Sequence, residues 1–212
     1  MTSRMRWSKL VFILPLLLLG GRAVDAATTV TNFKLKGNTV TALFEGASAI
    51  DPCLMNFVSV TSSDLIERVK PDGRVTSLKT VMIVIQRNVC TDMVTFEGQG
   101  ESTTSTLQVA GDLSSAKLMT KVPVVDRFGQ VFNFDVNLTW KATESPLFVH
   151  SKDTFEDPDL GIKITAKMRS TQAEATATGS VFGDGQEFTP EASDEATIQK
   201  QNDGTLVIQK TF

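Results

Sequence analysis

Between Gln130 and Lys141 the chain reads QVFNFDVNLTWK, and this alternation constrains the fold more than any other feature. Phe132, Phe134, Val136, Leu138 and Trp140 alternate with Asn133, Asp135, Asn137, Thr139 and Lys141. Apolar residues at a period of two describe a strand with one face buried and one face wet. Trp140 lies on the apolar face and is expected in the core rather than on a ligand-stacking surface.

The pattern recurs along the chain. AKLMTKVPVV (Ala116 to Val125) reads as a strand leading into a hairpin loop at Asp126–Gly129, with Pro123 expected at an edge or bulge because it lacks an amide donor. LGIKITAKM sets Leu160, Ile162, Ile164, Ala166 and Met168 on one face, and AEATATGSV sets Ala173, Ala175, Ala177, Gly179 and Val181 on one face. TTVTNFKL and TVTALFE are expected to pair across a Gly37-Asn38 turn. VMIVI suits a strand buried on both faces. Asp-Gly pairs at Asp72, Asp184 and Asp203 are hairpin signals. Helix evidence is confined to SSDLIERVK, which reads equally well as a strand. The stretches 98–106 and 142–159 are polar and loop-like, and the second is a candidate weak subdivision. The expected fold is all-β: an antiparallel β-sandwich of about 11 to 13 short strands with little helix.

The N-terminus suggests the compartment. Arg4, Arg6 and Lys9 precede an apolar run from Leu10 to Gly21, and Val24 and Ala26 are small residues at the positions a signal peptidase reads. Residues 1–26 are therefore expected to be a signal peptide, with 27–212 forming a single domain. The apolar run is shorter than the roughly 20 residues of a membrane-spanning helix. Removing the leader takes away four of the 21 basic residues (Arg4, Arg6, Lys9, Arg22) and one of the 24 acidic ones (Asp25), leaving a mature charge of −6. Without a Lys/Arg cluster in the sequence, such a chain is not expected to bind nucleic acid or to enter a membrane. It is expected to be secreted, periplasmic or held at a cell surface.

Export bears directly on Cys53 and Cys90, the two cysteines of the chain. In an oxidising compartment two such residues are expected to pair. Zinc would need about four ligands, and the chain offers these two thiols and His150. A thiol nucleophile would want a base nearby, and His150 is distant in sequence.

Among oxygen donors, Asp153, Glu156, Asp157 and Asp159 fall within one acidic stretch and could hold calcium, though their spacing is not that of an EF-hand loop. Asp184, Glu187, Glu191 and Asp194 form a weaker cluster. His150 lies beside the first stretch, with no serine or cysteine motif next to it. Asn137–Thr139 is a glycosylation acceptor only in a eukaryotic source, and it falls within the strongest strand. No catalytic residue and no cofactor-binding motif emerges.

RNVCTD, LSSAKLMTKVPVVD and FNFDVNLTWKAT resemble segments of scattered, uncharacterised exported bacterial proteins. That resemblance implies a compact exported fold and assigns no activity. The sequence therefore favours an exported, non-catalytic binding or structural domain whose partner is a protein or a glycan. One alternative is an exported glycan-acting enzyme using two carboxylates. Another is a small outer-membrane barrel, suggested by the terminal GTLVIQKTF. Against the barrel, Lys210 interrupts the apolar alternation, and the mature chain lacks the Trp- and Tyr-rich girdles of such proteins.

Overall fold

The computed structural model describes residues 29–70, 73–157, 160–189 and 192–210. The expected signal peptide, Asp72, Asp159, Glu191 and Phe212 lie outside them. Eleven strands are present among the described residues: β1 (Thr29–Ala47), β2 (Leu54–Lys70), β3 (Gly73–Asn88), β4 (Met93–Ser102), β5 (Thr106–Val109), β6 (Ser115–Asp126), β7 (Val131–Ala142), β8 (Leu147–Asp157), β9 (Ile162–Gly183), β10 (Gln186–Glu187) and β11 (Glu195–Lys210). No helix occurs among the same residues. The all-β antiparallel architecture is thus the one the alternation predicts, although several strands are long rather than short.

Every pairing is antiparallel, and the pairings return on themselves. In the order β9, β11, β1, β2, β3, β4, β6, β7, each strand pairs with the next, and β7 pairs again with β9. Residues facing the inside of this ring form the core. Val40, Val58, Val60, Met82, Val84, Leu118, Val122, Val124, Phe134, Leu138, Trp140, Ala177, Val181 and Ile198 are fully buried there. The Trp140 indole donates to the Thr41 carbonyl at 2.7 Å, so its one polar atom is satisfied. Phe96, Phe132, Phe134 and Phe188 pack edge to face or tilted, with centroids 5.3–6.3 Å apart. Outside the ring, Lys117, Lys121, Asn133, Asp135, Asn137 and Lys141 meet water.

Polar layers close the core at both ends. At one end a buried hydroxyl chain runs from Ser62 to Thr80 (2.8 Å), to Ser105 (2.6 Å), to Thr120 (3.0 Å) and to Ser102 (3.1 Å). At the other, the Gln86 amide donates to Asn56 Oδ1 at 2.9 Å and its oxygen accepts from Thr95. Asn56 Nδ2 has no partner there, an uncompensated desolvation of about 1–3 kcal/mol.

Several expected turns are strand interior. Gly37 does not end a hairpin; β1 runs straight through it, and the β1–β11 register slips between Leu35 and Gly37. Its φ of +152° and the overlap that a Cβ there would make with the Asp64 carbonyl explain the glycine. Asp203-Gly204 lies opposite, inside β11, where the β9 register slips between Gln201 and Asp203. This pair of residues accommodates a bulge rather than a hairpin. Asp184-Gly185 does turn the chain, between β9 and β10. The two patterned stretches after Leu160 merge into one strand, β9. SSDLIERVK is strand, and 147–157, expected to be loop, forms β8. VMIVI buries one face only: Met82 and Val84 are buried while Ile83 is 39% exposed. Pro123 sits where β6 passes from β5, which it leaves at Met119, to β4, which it joins at Val124. Its missing donor costs no ladder bond on that side.

Past the hydroxyl layer six strands continue without the others. Their order is β8, β9, β11, β1, β2, β3, because β4 pairs with β3 only from Thr80 onward and β8 joins the far side of β9. This extension has two unlike faces, and the candidate site is one of them.

Candidate binding face

The sequence-derived candidates fall in three places. Cys53 and Cys90 form a disulfide, with Cα atoms 5.4 Å apart, between the β1–β2 connection and the β3–β4 turn. Both segments are shaped locally: Cys53 N donates to Asp51 Oδ1 at 2.8 Å, and Cys90 N and Thr91 N donate to Asn88 Oδ1 at 3.0 Å. The cysteines are therefore a staple at the end of the ring remote from the extension.

The acidic stretch is not a loop. Asp153, Glu156 and Asp157 lie on β8, where successive side chains alternate between faces. Asp153 and Asp157 share one face and Glu156 the other. Glu156 binds Lys163 at 3.0 Å, and Asp157 accepts from Leu160 N at 3.1 Å. Asp159 is outside the described residues, and no group of three or more metal-ligating side chains occurs among them. In the weaker cluster, Glu187 Oε1 accepts from Val181 N and from Thr189, and Asp194 Oδ2 accepts from Glu45 N. These carboxylates serve the backbone. Asp112, exposed in the turn before β6, is held below the usual carboxylate range by hydrogen bonds from the Ser114 backbone and hydroxyl. That is the opposite of the upward shift a general acid needs. His150 is exposed on β8, opposite Arg169 of β9.

The structure assembles a group that the sequence scatters. On β1, residues of even number face the ring interior at Val40 and Ala42; the same side of the strand carries Lys34 and Lys36 in the extension. On β9, the side that buries Ala173 and Ala177 carries Lys163, Lys167 and Arg169. Register then places Thr205 opposite Lys34, Lys167 opposite Thr205, and Lys152 opposite Lys167. One row across four strands thus reads Lys34, Thr205, Lys167, Lys152. A neighbouring row holds Asp203, Arg169 and His150, with Lys36 beside the bulge.

Lys34, Lys36, Lys152, Lys163, Lys167 and Arg169 are all exposed on this face, against exposed Glu156 and Asp203. Ile66, Leu78 and Val207 share the face but are half-buried, and Phe148 is exposed at its end nearest the ring. Among the described residues the Lys163–Glu156 ion pair lies here, while those of Lys79, Arg87 and Lys121 lie elsewhere. Like charges directly opposite each other in neighbouring strands oppose sheet formation, so Lys152 against Lys167 is a local cost to the fold. The opposite face of the extension carries Leu35, Ile162, Ile164, Ala166, Met168, Ile208 and Phe155. A sequence signal for the cationic face does exist. Lys163, Lys167 and Arg169 alternate with the apolar residues of IKITAKMR, and KLK repeats the spacing at Lys34 and Lys36. The apolar half of that alternation is the familiar core signal, and it masks the charged half.

Comparison with known proteins adds little. No family model matches the chain, and no curated protein matches it. Among solved structures, one similar chain is a crystal structure of a protein provisionally assigned as AttH from Nitrosomonas europaea. The identity is 9%, the TM-score 0.26, and the match covers 92% of this chain and 57% of that one. The present chain therefore spans little more than half the length of that protein.

Proposed function

We propose that this protein is an exported, non-catalytic binding domain that engages an anionic partner through the cationic face of its six-stranded extension. The carrying observation is the concentration of six exposed cations on one sheet face, five of them without an ion-pair partner among the described residues, in a chain whose mature charge is negative. A sheet that tolerates directly opposed lysines sacrifices stability at that position, and such departures from local design rules concentrate at functional sites.

Export is supported by the leader-like N-terminus and by the disulfide, since paired cysteines persist in oxidising compartments. No helix among the described residues is long and apolar enough to cross a membrane. The ring has an apolar interior and a Lys-, Asn- and Asp-bearing exterior, the reverse of the apolar band of a membrane barrel; this supports a domain surrounded by water.

The test is retention of the processed protein on a sulfated or carboxylated matrix at low salt. Release should come with salt, because screening shortens the reach of exposed charges. The variant Lys34→Gln/Lys152→Gln/Lys167→Gln should lose retention, and a charge-matched variant outside the ring, Lys117→Gln/Lys121→Gln/Lys141→Gln, should keep it. Equal retention of both variants would remove the basis for this function.

A further inference from the structure

We infer that the ligand of this face is a linear acidic polysaccharide, carrying a carboxylate or sulfate at regular intervals and lying across the strands along the row from Lys34 to Lys152. This rests on the binding reading above and specifies the chemistry of its partner.

Three observations favour an extended polymer. First, the cations form a row rather than a pocket. Neighbouring strands are about 4.8 Å apart, so the four positions Lys34, Thr205, Lys167 and Lys152 span about 14 Å, longer than a single sugar or a phosphate could bridge. Second, the row alternates in chemistry. Thr205 interrupts it between Lys34 and Lys167, and Thr165 and Thr154 lie opposite each other in the adjacent row. Ammonium groups suit the carboxylates or sulfates of such a chain, and threonine hydroxyls can donate to and accept from its sugar hydroxyls. Third, the face is open at both edges among the described residues. β8 pairs only with β9, and β3 lacks a second neighbour before Thr80, so a chain longer than the row can run past either edge.

Two other polyanions fit less well. A membrane surface is best met by cations and exposed apolar or aromatic side chains on the same side. Here Ile66, Leu78 and Val207 are half-buried, Phe148 stands four residues from Lys152, and Ile164, Ala166, Met168 and Ile208 are on the opposite face. Single-stranded nucleic acid is held by successive aromatic platforms as well as charge, and Lys34, Lys36, Lys163, Lys167 and Arg169 have no aromatic residue beside them on the same face of their own strands.

The experiment is calorimetric titration of the processed protein, made from the full chain, with galacturonate oligomers from one to eight sugars. Neutral oligomers of equal length, duplex DNA and vesicles containing an anionic phospholipid are titrated alongside. Affinity should climb with oligomer length and level off once the row is covered, and neutral oligomers should not bind. Lys34→Gln/Lys152→Gln/Lys167→Gln should lower the affinity for the longest oligomer by roughly tenfold or more, while Lys117→Gln/Lys121→Gln/Lys141→Gln changes it less than about twofold. Equal affinity for one sugar and eight overturns the inference. Row-dependent binding of vesicles or DNA without the acidic oligomers also overturns it while leaving the anion-binding function standing. If no anion binds in a row-dependent way, both fail.

Discussion

If Lys152 and Lys167 repel one another across the β8–β9 ladder, removing that repulsion should stabilise the fold while weakening its binding. The two residues are register partners, and both are exposed. Directly opposite side chains start from Cβ atoms about 5 Å apart. Two unit charges at that distance in a water-like dielectric repel by about 0.8 kcal/mol, and screening at physiological salt roughly halves this to about 0.4 kcal/mol. A double-mutant cycle isolates the pair: Lys152→Gln, Lys167→Gln and the double variant, each unfolded in urea. The cycle should show that the two lysines disfavour each other by about 0.4–0.8 kcal/mol, with an m-value near 2 kcal/mol/M translating this into a midpoint shift of roughly 0.2–0.4 M. In 1 M salt the Debye length falls to about 3 Å and the coupling should largely vanish. A coupling of zero or of favourable sign at low salt would refute the reasoning, as would a coupling that salt leaves unchanged, because the pair would then interact through packing rather than charge.

Further outcomes follow from the core and the staple. Cys53→Ser/Cys90→Ser opens a crosslink across a sequence separation of 37, and loop-closure entropy sets the expected loss near 4 kcal/mol, measured by urea unfolding; the oxidised parent, unfolded, should offer no thiol to an alkylating reagent. Trp140→Ala empties a fully buried site and removes the donor to Thr41, so a loss of roughly 3–5 kcal/mol is expected, read by far-UV circular dichroism on heating. Gly179→Ala meets both a φ of +130° and the Asn137 carbonyl. Roughly 1–3 kcal/mol from the backbone conformation alone, plus the overlap, should make it far more damaging than Gly111→Ala, where a Cβ has open space; chemical denaturation of the two variants side by side checks the order.

The fold class was legible because strand alternation is local chemistry. Phe132 to Trp140 pack inward wherever β7 is placed, and the cysteine pair needs only an oxidising compartment and proximity. Turns were less legible. Gly-Asn and Asp-Gly pairs relieve the same backbone constraint in a hairpin and in a bulge, so Gly37 and Gly204 could not be told from Gly185 without knowing their neighbours. The polar run 147–157 has no apolar period because neither of its faces meets a core, which removes the signal by which strands are recognised.

The sequence by itself determined the all-β character, the buried face of β7, the cysteine pair and the net negative charge, since each follows from residue type and short-range spacing. Only the tertiary structure decided that β7 returns to β9 to close a ring, that Gly37 and Gly204 mark bulges, and that an acidic protein carries a cationic face. Lys34, Lys152 and Lys167 are remote in the chain and become neighbours only through the registers of β1, β8, β9 and β11. Register is fixed by which whole strands bury their apolar sides together, and the charges on the other side follow it.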